Sequence, residues 1–225
     1  MKNWAFFFIL SKMSQNQESR NKPEFFDKYD EDGGSKRNLT SWNLKLVGVL
    51  AILWSLFQLW YASPLPFILD FGKFIDVPAR AIHLAFGMSL CFLLYPTFRS
   101  GRNKKISLID FIFVAISLIA TLYLFLDYEG LVNRQGILAN FEIFNFKIPY
   151  ELILGLFGII LLLEATRRAI GIPLVVIALV FILFSIFGQV MPHLISHQGL
   201  SFTRLVGYHW FGGEAIFGIP ISVSV

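Results

Sequence analysis

Residues 154–169 read LGLFGIILLLEATRRA, an apolar run that stops at an acid and two adjacent arginines, and a second apolar run, 170–190, follows at once. Two such stretches joined by a charged knuckle have one natural solvent, a lipid bilayer. The pattern recurs upstream at 43–63, 79–98 and 107–127. Each stretch approaches the ~20 residues that, at a rise of about 1.5 Å, cross a hydrocarbon core about 30 Å thick. This predicts an all-α fold, a polytopic integral membrane protein with about five transmembrane helices and the start of another.

Only 15% of the 225 residues are charged and 56% are hydrophobic, against about 25% charged in a soluble domain. The spans and a tail use up the chain, so no room is left for a separate soluble catalytic domain. The net charge of +4 sits at span ends and not on one face, which argues against a nucleic-acid partner and for a topogenic role. The single cysteine, Cys91, excludes an intrachain disulfide and reads as a small buried apolar residue.

Loop 99–105, RSGRNKK, and Arg167-Arg168 are basic, whereas connections 67–78 and 128–149 carry only Lys73, Arg134 and Lys147. The positive-inside rule then predicts a multi-pass protein whose basic loops and N-terminus are cytoplasmic. Segment 191–207 falls outside. Arg80 and Arg204 run against the bias. Residues 1–12 fail as a signal peptide for want of a small-residue cleavage site, so translation is expected to start at Met13. The region 1–37 reads as a polar cytoplasmic tail, too hydrophilic to fold alone.

Pro64 and Pro66 are expected to break the first helix, to leave 67–77 in the outer interface, and Pro78 to open the second span. The fourth span reaches adequate length only by continuing through 164–168, where Arg167 and Arg168 snorkel and favour the helix C-terminus. Residues 208–225 begin an apolar element and stop within it, which reads as a truncation.

No catalytic residue and no metal site is expected, since no span carries a nucleophile or ligand constellation. His193 and His197 are i,i+4, but Pro192 and Gly199 disfavour a helix there, so they read as surface histidines. Arg80 and His83 share a helical face; interfacial anchoring and a polar contact with another helix both remain open. Glu164 with Arg167 and Arg168 reads as an exposed cytoplasmic cap worth roughly 0.3–0.5 kcal/mol. Asp110, Asp127 and Glu129 read as solvated end caps of the third span. Gly212, Gly213 and Gly218 with Pro220 fit either a discontinuous helix of the transporter kind or a flexible junction.

Several phrases together resemble a known family. They are Arg80-Ala81-Ile82-His83-Leu84 with Tyr95-Pro96; residues 128–136, YEGLVNRQG; residues 163–171, LEATRRAIG; Phe187-Gly188 with Pro192; and residues 212–224, GGEAIFGIPISVS. Over about 40–225 the chain resembles the fused permeases of tripartite ATP-independent periplasmic (TRAP) transporters, in the branch served by TAXI-type binding proteins. The resemblance implies that 38–168 is a small-subunit-like four-helix scaffold and 169–225 the start of a DctM-type transport portion. It also implies a periplasmic TAXI-type solute-binding protein as partner and sodium as coupling ion, with no other cofactor. Its sodium and substrate sites are expected downstream of Val225, which would leave this piece inactive alone. The alternative is a non-transporting scaffold or regulatory subunit that assembles with a separate large subunit. An enzyme is not expected.

The loop charges predict that, in a Cys91→Ser background in intact cells, an impermeant thiol reagent labels Asn140→Cys and spares Asn103→Cys. The reverse pattern overturns the topology.

Overall fold

The computed structural model describes residues 37, 39, 41–74, 76–97, 106–134, 137–143, 146–193 and 195–224. Met13, the tail before Arg37 and the basic loop 99–105 lie outside the described residues. The first three long helices are α1 (Ser41–Ala62), α3 (Asp76–Leu94) and α4 (Leu108–Leu126). Between α1 and α3 lies the single turn α2, Leu65–Ile68. After α4 come α5 (Tyr128–Asn133), a hairpin of β1 (Phe141–Ile143) and β2 (Phe146–Ile148), and then α6 (Tyr150–Ala169) and α7 (Ile172–Ile186). The chain ends with α8 (Phe202–Val206), a π-helical turn Gly207–Phe211, and α9 (Ile219–Ser222).

Among the described residues, three helices are long and apolar enough to cross a membrane: Trp42–Ala62, Asp76–Leu94 and Leu108–Leu126. Length and composition of these three make the chain a membrane protein. The two later helices of the expected five do not meet that length and composition. α6 has 20 residues, about 30 Å, but Glu151, Glu164, Arg167 and Arg168 make it too charged to count on composition. α7 has only 15 residues, about 22 Å, because Gly171, at φ +118°, starts it late and the chain tightens to a 3-10 turn at Gly188–Val190. The fold is helical, but not wholly so. The antiparallel hairpin, with Phe141 opposite Ile148, was not foreseen; strands of three residues each are too short for alternation to stand out in a sequence.

Pro78 does not open the second span. α3 starts two residues earlier at Asp76, and Pro78 sits in the first turn, where a missing N–H has no intrahelical acceptor to lose. At the end of α1 the prolines do break the helix, although Pro66 lies inside α2 and not in a loop. The turn that follows is closed by Asp70 at φ +52° and Gly72 at φ +65°.

α3 is the central helix and packs against α1, α4 and α6. Its Ala79, Ala81, Ala85 and Ser89 are buried, and small residues are what let helix backbones approach where lipid removes the hydrophobic drive. Around them Met88 and Phe92 of α3, Ala120 and Leu124 of α4, and Ile159 and Leu161 of α6 form one core. Phe92 meets Phe113 edge-on at 5.6 Å between centroids, the geometry favoured by ring quadrupoles. α1 stands aside, with Val47 its only buried residue among those described.

The segment from Ser201 onward is docked and not free. Trp210 is fully buried and its Nε1 donates to the Ala120 carbonyl at 3.3 Å. The indole reaches this depth because α6 presents glycines. A Cβ on Gly155 would stand 2.8 Å from Val206 Cγ1, and one on Gly158 would overlap the Trp210 ring.

Gly158→Leu should therefore lower the unfolding free energy in micelles by roughly 1–3 kcal/mol through overpacking. Gly48→Ala, where a Cβ meets nothing within 4 Å, should stay within about 0.5 kcal/mol of the parent. Equal shifts in a detergent unfolding titration would overturn this docking.

Candidate functional site

α4 opens with Ser107 and Asp110 in a reciprocal capping box. An acid in this first turn is favoured by the helix dipole, but the expected solvated cap is wrong for Asp110, which is fully buried. Its Oδ2 accepts from Arg37 Nη2 at 2.5 Å and its Oδ1 from Arg168 Nη1 at 2.9 Å and Thr97 Oγ1 at 2.5 Å. A carboxylate without water must have such partners, since isolated burial costs several kcal/mol.

Arg168 is the hub. Its side chain is 1% exposed, and it also donates to Glu164 Oε1 at 2.8 Å, Thr97 Oγ1 at 3.0 Å and the Tyr95 carbonyl at 3.2 Å. Its guanidinium lies 5.0 Å and 5.1 Å from the centroids of Phe92 and Phe113, a cation–π arrangement strengthened by desolvation. Arg167, next in the chain, turns the other way. It makes a two-point pair with Glu164 at 2.7 Å for each bond and is 42% exposed. The exposed-cap expectation thus holds for Arg167 and fails for Arg168, because successive residues on a helix point about 100° apart.

A second cluster closes the other end of the antiparallel α4–α6 pair. Glu151, in the first turn of α6, is fully buried. It accepts from Arg134 Nη2 at 2.5 Å and from the Ala139 amide. The Tyr123 hydroxyl lies 2.5 Å from Glu151 and 3.0 Å from Asp127, so its one proton is shared between two carboxylates. Arg134 bridges the same pair, 3.0 Å from Asp127. Burial opposes the Arg134 charge, but the bond to Asp127 and the charge of Glu151 outweigh it and hold its pKa above the ordinary arginine value. Asp127 is a half-exposed cap, as foreseen in part.

Arg80 and His83 make the third contact set, in which each binds another segment. Arg80 Nη1 donates to the Phe217 carbonyl at 2.7 Å, while Asp76 stands 3.5 Å from its Nη2. Trp54 Nε1 and Gln58 Nε2 converge on His83 Nδ1 at 3.2 Å and 2.5 Å. Two donors on Nδ1 leave the proton of a neutral ring on Nε2, which faces Ser224 Oγ at 3.4 Å. The glycine-rich stretch 212–218 is a series of turns before α9, an interrupted helix whose Phe217 carbonyl finds its partner in Arg80.

His193 and His197 are brought to no common ligand, and no group of three or more His, Cys, Asp or Glu able to hold a metal occurs among the described residues. Sequence reading missed Arg37, Glu151 and Trp210 as structural centres. The Ser107-x-x-Asp110 capping pattern could have pointed to Asp110. Glu151 carried the plainer signal of an acid opening an apolar helix. The fold and these clusters define a helical membrane protein with paired charges at both ends of its bundle. Comparison with protein-family models, curated proteins and solved structures finds no match to the chain.

Asp110→Asn should cost about 3–5 kcal/mol, because it leaves the buried Arg37 without its carboxylate and Arg168 with Glu164 alone, and Arg167→Ala should cost no more than about 1 kcal/mol as an exposed pair. Unfolding titrations in one micelle system measure both. Similar values for the two would refute the buried cluster.

Proposed function

We propose that the chain is a membrane permease component of a TRAP-type, sodium-coupled and binding-protein-dependent secondary transporter, and that its part is the scaffold. The observation that carries this reading is the way the resembling phrases meet. Arg80, in the phrase beginning α3, holds the Phe217 carbonyl in the phrase 212–224. Arg168, in the knuckle phrase, holds the Tyr95 carbonyl of Tyr95-Pro96. Segments far apart in sequence thus form one packed unit, as pieces of a single architecture should.

A scaffold must resist the movement of the part it supports. The charge pairs at both ends of α4 and α6, with a close-packed core between them, supply that stiffness. In this reading α6 and α7 also cross the bilayer, the Arg168 end faces the cytoplasm, and the Glu151 end faces the periplasm of a bacterial inner membrane. Arg167 then sits in the headgroup layer and Arg168 within the bundle. The binding protein would meet the Glu151 end, and the solute and sodium sites would belong to a DctM-type portion.

Reconstituted with a TAXI-type binding protein and a sodium gradient, the 225-residue chain should show uptake no higher than empty liposomes. Joined in frame to a DctM-type portion, it should give sodium-dependent uptake. Uptake by the chain alone overturns the scaffold assignment, and failure of the joined chain favours a non-transporting subunit.

A further inference from the structure

Of the two arginines that run against the topogenic bias, Arg80 is accounted for by the Phe217 carbonyl. Arg204 is not. It lies in α8, its amide held by the Ser201 side chain at 3.4 Å, and its guanidinium has no hydrogen-bond or ion-pair partner among the described residues. It lines a cavity of about 590 Å³ between α5 and the α8–π-turn segment, within the roughly 300–1,000 Å³ typical of ligand sites. The other walls are mostly apolar, from Leu131, Val132 and Phe211, with Tyr128 and Tyr208 beside them. Val132 and Tyr208 remain 56% and 51% exposed.

We propose that this cavity binds an anionic phospholipid, with the headgroup phosphate on Arg204 and an acyl chain along Val132 and the ring of Tyr208, the walls that remain exposed. Charge complementarity chooses the head: an unpaired guanidinium is matched by phosphate through paired, charge-assisted hydrogen bonds. The walls choose the body. A small hydrated anion gains nothing from an apolar surface, whereas an acyl chain gains by covering it. Position agrees, since α5 follows directly on the end of a membrane-length helix and the two tyrosines have the amphipathic rings that settle at headgroup level. The site is independent of the transport reading, because it requires only that α4 cross the bilayer.

Native mass spectrometry of the full-length chain in detergent, titrated with phosphatidylglycerol or phosphatidylcholine, tests it. The parent should retain one phosphatidylglycerol with roughly tenfold preference over phosphatidylcholine. Arg204→Ala should remove the preference, while Lys73→Ala, an exposed cation at the same end paired with Asp70, should leave it. Val132→Trp, which fills the exposed wall, should weaken both lipids together. Excess inorganic phosphate should not displace the lipid. Equal binding of the two lipids by the parent, an unchanged preference in Arg204→Ala, or displacement by phosphate overturns the proposal.

Discussion

The Asp110 carboxylate has been taken wholly out of water, and most of the bundle can be traced to how that charge is satisfied. Arg168 reaches it from the last turn of α6, and Arg37 reaches it from ahead of α1. The Arg37 amide also binds the Leu94 carbonyl at the end of α3. One acid therefore fixes where four segments meet. Helix dipoles favour the same arrangement, for Asp110 lies at the positive end of α4 and Arg168 at the negative end of α6. Antiparallel packing is what brings those ends together. In a lipid setting no water competes for either partner, so separating them would leave bare charges.

The second cluster matters because of its distance from the first. From Glu151 to Arg168 α6 rises about 26 Å, close to the roughly 30 Å of a hydrocarbon core. Charge is paired at both ends, and between them polar side chains turn back on their own helix. Ser89 donates to the Ala85 carbonyl at 2.7 Å, Thr121 to Ser117 at 2.8 Å and Thr166 to Leu162 at 2.8 Å. Adhesion in the middle of the bundle is thus left to close packing, which explains why glycine and alanine face Trp210 and Phe92 there. The ends set register and the middle sets distance.

Periodicity and composition were enough to find α1, α3 and α4 to within a few residues, because a membrane helix is written as a long run and needs no tertiary information. The knuckle Glu164–Arg168 was legible as a helix end. Which arginine turns inward was not, since Arg167 and Arg168 are chemically alike and only the phase of α6 against Asp110 separates them. Asp110 itself looked like any acid at a helix start; its burial depends on Arg37, which belongs to a stretch that reads as a hydrophilic tail. Trp210 was hidden for a different reason. It lies in a short, glycine-flanked segment, and its core position is created by Gly155 and Gly158 fifty residues upstream.

α7 shows how much of a helix's placement can come from its two ends. Apart from Ser185 it is apolar, and it has no fully buried residue; Ile182 and Ile186 rest on the main core, while most of its other side chains stay exposed. Its ends are nonetheless held. At the start, Gly171 adopts φ +118° three residues after the Arg168 anchor, a conformation that L side chains resist. At the far end His197 acts as a cap. Its Nδ1 accepts from the Gly199 amide at 3.1 Å, which leaves the proton of a neutral ring on Nε2, 3.0 Å from the Phe184 carbonyl. That carbonyl lies in the last turn of α7, where no intrahelical donor remains. The Leu200 amide reaches the Ser185 carbonyl at 2.8 Å in the same way. Of the two histidines at i,i+4 spacing, His197 is committed to the helix end, its ring tilted against that of Phe184 with 4.9 Å between centroids. Direction at one end, carbonyl satisfaction at the other and the packing of Ile182 and Ile186 on the core between them hold α7 in place.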